Sequence, residues 1–152
     1  MKTTYSIDLN VAPEKVFHWL DDPKRVMQWV CNVEENENLH ETEDKVGTKF
    51  RQIYVENGRR MEFHGTVTAY EENKRLAIEM QSKGFDLDVD YRLEKIAVGT
   101  RLTQNSQVHF KGLMKFIMPL FAPFMKKSGE KQLNEDFNKL KTLCENEAAG
   151  EA

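Results

Sequence analysis

The sequence predicts an α+β fold: a strongly curved antiparallel sheet of about seven strands wrapped around a long C-terminal helix, with two short helices after the first strand. Three observations predict it. A strand-like opening runs into two helix starts, a succession of alternating segments separated by hairpin signals fills the middle of the chain, and the last third of the pattern changes from a period of two to about 3.6. That order of elements leaves few ways to bury every apolar face, and closing the sheet around the last helix is one that does.

Taken in order, Tyr5, Ile7, Leu9 and Val11 alternate with Ser6, Asp8 and Asn10, the pattern of a half-buried strand. Pro13 then stands where the first turn of a helix tolerates proline, and Val16, Phe17 and Leu20 recur at helical spacing. Asp22-Pro23 repeats the start signal ahead of Val26, Met27 and Val30. The acidic stretch "NVEENENLHETED" suits an edge strand and ends before Gly47. "TKFRQIYV" stops at Asn57-Gly58, a tight-hairpin dipeptide, and "RMEFHGTVTAY" resumes after it. "EENK", Lys83-Gly84 and Gly99 punctuate "RLAIEMQ", "FDLDVDYRLE" and "TRLTQNSQVHF" in the same way. From Leu113 to Glu147 the chain reads as helix, with Leu133, Phe137, Leu140 and Cys144 in one stripe. Residues 1–147 form a single domain on this reading, and 148–152 a frayed, disordered tail.

Composition narrows the class. The chain has 152 residues, 39% of them hydrophobic and 31% charged, which fits one globular domain able to build its own core. "MKTTYSIDLN" lacks the apolar run of a signal peptide, so a cytoplasmic location is expected. Cys31 and Cys144 lie far apart without CxxC spacing, which supports neither a disulfide framework nor a zinc site. The net charge of −3 argues against general nucleic-acid binding. Yet residues 111–131 carry five lysines and one glutamate, a net +4, so the remainder holds −7.

Metal and nucleophile motifs fail on inspection. Asp86-x-Asp88-x-Asp90 begins like a calcium loop, but Tyr91 stands where glycine is required and Ala97 where glutamate is. "HETED" at His40 has Asp44 in place of the second zinc histidine, and His18, His40, His64 and His109 lack ligand spacing. Phosphate-cradling glycine loops and nucleophile elbows are absent. Neither a metal nor a cofactor is expected.

"VAPEKVFHWLDDPKRVMQWV" resembles the opening of the SRPBCC superfamily, the START and birch-pollen-allergen-like helix-grip proteins, and in particular its polyketide cyclase/dehydratase-like branch. Trp29, "VGTKFR", "YRLE" followed by "GTRLT", and "LNEDFNKLKTLCE" are similar to the same family, so the likeness spans roughly residues 3–146. The resemblance implies a cavity between sheet and last helix that binds a hydrophobic small molecule such as a lipid, isoprenoid or polyketide-like compound. The alternatives it allows are a cyclase or dehydratase acting in that cavity, or a chaperone-associated protein-binding module using Glu34–Asp44 or Lys126/Lys127.

Strand alternation proposes the walls. Phe50, Gln52 and Tyr54 share one face, as do Met61, Phe63 and Val67, then Phe85, Leu87, Val89, Tyr91 and Leu93, and finally Leu102, Gln104, Ser106, Val108 and Phe110. Gln52, Tyr54, Tyr91, Gln104 and Ser106 are the polar exceptions, able either to hydrogen-bond a ligand or to satisfy structural partners. Tyr54 and Tyr91 are the candidate proton donors if chemistry occurs.

The segment "MKFIMPLFAPFMKK", residues 114–127, combines three phenylalanines, three methionines and two prolines with flanking lysines. It is too short to span a bilayer, which takes about 20 apolar residues. Pro119 and Pro123 would interrupt a helix. The resemblance implies a lid, with Phe116, Leu120 and Phe124 over the cavity mouth. Two other readings stay open: these side chains fill the space inside the sheet, or the segment makes transient membrane contact with its lysines on anionic headgroups.

Overall fold

A computed structural model describes residues 1–151 of the chain, and Ala152 lies outside the described residues. Strand β1 (Lys2–Leu9) leads into helices α1 (Pro13–Asp21) and α2 (Pro23–Trp29). Six strands follow: β2 (Val33–His40), β3 (Lys49–Glu56), β4 (Arg59–Glu71), β5 (Arg75–Gln81), β6 (Phe85–Ile96) and β7 (Gly99–Phe110). A short helix α3 (Met114–Ile117), a 3₁₀ turn (Met118–Phe121) and the long helix α4 (Ala122–Glu151) complete the chain. The seven strands form one antiparallel sheet in the order β1-β7-β6-β5-β4-β3-β2, so the α1–α2 pair carries the chain from one edge to the other. This is the helix-grip architecture.

Local chemistry sets the joints. Asn57 and Gly58 both take positive φ, 51° and 76°, the requirement of a two-residue hairpin turn that matches strand twist. The Asp22 carboxylate accepts the Lys24 N–H at 2.9 Å and caps α2, which lets a second helix start directly at Asp22-Pro23. Gly99 has φ 150° and passes so close to β1 that a β-carbon would lie 2.2 Å from the Leu9 carbonyl oxygen. Only glycine fits there.

The concave face of the sheet receives α4 through the stripe seen in the sequence. Phe137, Leu140 and Cys144 are fully buried with Leu9, Val16, Trp19 and Trp29. Polar ties hold the C-terminal half of α4 in place: Arg25 pairs with Glu147 at 2.5 Å while its guanidinium lies 4.6 Å above the Trp19 ring, and Asn10 N–H donates to Glu145 at 2.9 Å. The convex face is charged. Arg51 pairs with Glu62, Glu37 and Glu35, Arg101 with Asp8, and Asp90 with Arg75 and Arg92.

Two expectations change here. Residues 148–151, expected to fray, continue α4, and Ala148 packs against the core, which gives the last turn an apolar anchor. The lid is the larger correction. Phe116, Leu120 and Phe124 do not cover the concave face; they are 76%, 79% and 76% exposed. The prolines explain why. Pro119 and Pro123 are the second residues of the 3₁₀ turn and of α4, where a missing N–H costs nothing, so each restarts the helix instead of folding it over the sheet.

Candidate functional site

Between the concave sheet and the helices lies a cavity of about 300 Å³, at the lower end of the range for small-molecule sites. Its apolar wall combines Leu20, Val26 and Trp29 from α1 and α2, Phe50, Val67, Leu76, Ile78 and Met80 from β3 to β5, Leu87 and Val89 from β6, and Leu133 from α4. Exposed Asn38, Glu41 and Lys45, on and after β2, mark the side where it meets solvent. Space is therefore left inside the sheet, because the bulky segment at 113–124 that could have filled it stays outside.

Polar groups reach this apolar space as well. Gln52 and Gln104 are buried, 9% and 6% exposed, and among the described residues neither side-chain amide has a protein hydrogen-bond partner. Tyr91 stands on the same face as Gln104, directly opposite it in the β6–β7 register. Asp136, from α4, is 8% exposed and accepts from the Cys31 N–H at 3.3 Å and from Gln132 Nε2 at 2.9 Å. Both bonds fall on Oδ1, which leaves Oδ2 without a protein donor.

Burial raises the Asp136 carboxyl above its ordinary value, outweighing the two hydrogen bonds that favour its charge. Burial also raises the Tyr91 phenol, reinforced by the negative charge of Asp136. Tyr91 and Asp136 thus bring a hydroxyl donor and a carboxyl acceptor to the same cavity. Trp29 stacks edge-on to Tyr91 with centroids 6.3 Å apart, which fixes the ring, and its own indole N–H donates to the Trp19 carbonyl at 3.0 Å.

Of the residues proposed from alternation, Phe50, Gln52, Val67, Leu87, Val89, Tyr91 and Gln104 line the cavity. Tyr54, Phe63 and Ser106 are among those that stand apart from it. Tyr54 packs beside Phe50 and Phe63, and its hydroxyl accepts from Asn32 Nδ2 at 3.3 Å. Phe63 is buried edge-on to Phe85 at 5.6 Å, and the Ser106 hydroxyl donates to the Thr3 carbonyl at 3.5 Å. Phe116, Leu120 and Phe124 are absent from the lining.

Sequence reasoning missed Tyr70, Trp29 and Asp136. Tyr70 reaches the cavity together with Val67 because β4 carries a bulge between Val67 and Ala69, which resets the alternation. No local signal announces that bulge. Asp136 did leave one: it lies three residues after Leu133 and four before Leu140, an acid within the apolar stripe of α4.

Among the described residues, no group of three or more His, Cys, Asp or Glu side chains is placed to hold a metal ion, and no helix is long and apolar enough to cross a membrane.

The sequence profile of a family described as polyketide cyclase / dehydrase and lipid transport matches residues 1–145. No curated protein matches the sequence. Among solved structures, a START superfamily protein from Mycobacterium smegmatis superposes with a TM-score of 0.79 at 17% identity, covering 95% of this chain and 97% of that one. TTHA0849 from Thermus thermophilus gives 0.78 at 12% identity over 95% and 97%. CV1439 from Chromobacterium violaceum gives 0.70 at 15% identity, again over 95% and 97%. Likeness at such identities carries the fold alone.

Proposed function

On the premise that this chain belongs to the polyketide cyclase/dehydrase and lipid transport family, of SRPBCC type, we propose that it is a carrier or sensor for a hydrophobic small molecule held in the cavity between sheet and α4. The observation that carries the reading is the pair of Gln52 and Gln104 amides, which face an otherwise apolar cavity without a protein hydrogen-bond partner. A buried polar group costs free energy unless it finds a partner. A ligand with an apolar body and an oxygen-bearing head, such as a lipid, isoprenoid or polyketide-like compound, supplies both. Its head would take a hydrogen bond from Tyr91 or the glutamine amides, and any hydroxyl on it would donate to Asp136.

Native mass spectrometry of the purified chain, followed by organic extraction, tests the reading. One apolar passenger per chain is expected. A Leu87→Trp variant, whose indole projects into the cavity, should lose at least roughly tenfold in affinity for that passenger or for the probe 1-anilinonaphthalene-8-sulfonate. Absence of any passenger, joined with a probe affinity that Leu87→Trp leaves unchanged, would sink it.

A second reading, a cyclase or dehydratase working in the same cavity, is favoured by one observation: the Tyr91 hydroxyl stands among the cavity walls, where it can donate to a carbonyl. Tyr54 lies outside the cavity lining and has no such position. Turnover of a polyketide substrate that survives Tyr91→Phe undiminished would remove that role.

A further inference from the structure

The segment left outside the sheet has a regular outer surface. Leu113, Phe116, Ile117, Leu120, Phe121 and Phe124 follow one another at spacings of three and one, a single stripe of a helix, and all are 44% to 79% exposed. Met118, Ala122 and Met125, on the other side, are half-buried. The six exposed side chains offer no hydrogen-bond donor or acceptor. Residues 111–129 contain no Asp or Glu. Lys111 is held by Asp86, whereas Lys115, Lys126, Lys127 and Lys131 have no carboxylate within ion-pair distance among the described residues.

We propose that this apolar stripe and its free lysines form a docking surface for an anionic lipid bilayer, with residues 113–124 lying in the headgroup region and the lysines on the acidic headgroups. Twelve residues at helical rise extend about 18 Å, well short of the hydrocarbon thickness, so the segment lies along the surface and does not cross it. Its apolar side without polar groups, flanked by lysines, is the composition of an interfacial segment. A specific protein interface would instead carry about one hydrogen bond per 100–200 Å². A symmetric second copy is disfavoured because it would bring two sets of free lysines together. The remainder of the chain holds a net −7 and is repelled by an anionic surface, so the same charge distribution that draws in this patch orients the molecule upon it. The inference goes beyond the cavity reading and stands whatever the cavity holds.

Co-sedimentation with vesicles containing phosphatidylserine, compared with vesicles of phosphatidylcholine alone, tests it. The wild-type chain should bind the anionic vesicles and release as salt is raised. The pair Phe116→Asp/Phe124→Asp should weaken binding at least roughly tenfold, and Lys126→Glu/Lys127→Glu should abolish the preference for phosphatidylserine, each with unchanged far-ultraviolet circular dichroism because all four side chains are exposed. Leu87→Trp, which occupies the cavity, should leave vesicle binding intact, so the two proposals fail separately. No binding to phosphatidylserine vesicles, or binding that survives either pair of substitutions, overturns the docking surface. So does a wild-type dimer in sedimentation velocity that Phe116→Asp/Phe124→Asp dissociates, which would assign the stripe to a second copy.

Discussion

The ring of Phe50 rests on Gly65, its partner in the β3–β4 register, so closely that a β-carbon on Gly65 would fall 2.0 Å from Phe50 Cζ. The glycine's missing side chain is the space the phenyl ring occupies, and the ring in turn forms part of the cavity wall.

Gly65→Ala therefore forces Phe50 off β4 and toward the cavity. Overpacking of this kind costs about 1–3 kcal/mol, and at this chain length each kcal/mol lowers the melting temperature by about 2–4 °C. Thermal denaturation should show that loss together with weaker binding of the cavity probe. A variant that melts and binds like the wild type would show that Phe50 has somewhere else to go.

Asp136 gives stability a pH dependence of defined sign. Its carboxyl is raised in the folded chain, so between the ordinary carboxylate range and that raised value the folded state holds more protons than the unfolded one. The contribution of this group is therefore fully present below the ordinary range and declines as pH rises through the folded value. Asp136→Asn keeps an oxygen for the Cys31 and Gln132 donors and removes the titration. The variant should match the wild type in acid and exceed it near neutral pH, as read by melting temperatures across that window. Parallel curves for the two proteins would place the pH dependence elsewhere.

Thr100 is fully buried, and its hydroxyl donates to the Val11 carbonyl at 2.8 Å, tying β7 to the chain just after β1. Thr100→Val preserves volume and leaves that carbonyl unsatisfied, a loss of about 1–3 kcal/mol. Calorimetry should detect it; an unchanged transition would mean the carbonyl has found another donor.

How much of this was legible beforehand depends on the range of the interaction concerned. The hairpin at Asn57-Gly58, the cap at Asp22, the alternation of β6 and the Leu133-Phe137-Leu140-Cys144 stripe are written in neighbouring residues, because turn chemistry and helical or strand periodicity act within a few positions. They determined the order of elements and, with the family resemblance, the fold. They also placed Phe50, Gln52, Leu87, Val89, Tyr91 and Gln104 on the inner face.

Tertiary structure alone decided which inward residues share a cavity. The bulge in β4 brought Tyr70 in, and α4 delivered Asp136 to the same space as Tyr91, whereas Tyr54, Phe63 and Ser106 found partners of their own. It also decided the fate of residues 113–124. Hydrophobicity records that a side chain gains by leaving water, but not which surface it leaves water for. Pro119 and Pro123 restart the helix beyond the rim of the sheet, so the most apolar stretch of the chain is the one its own core does not use.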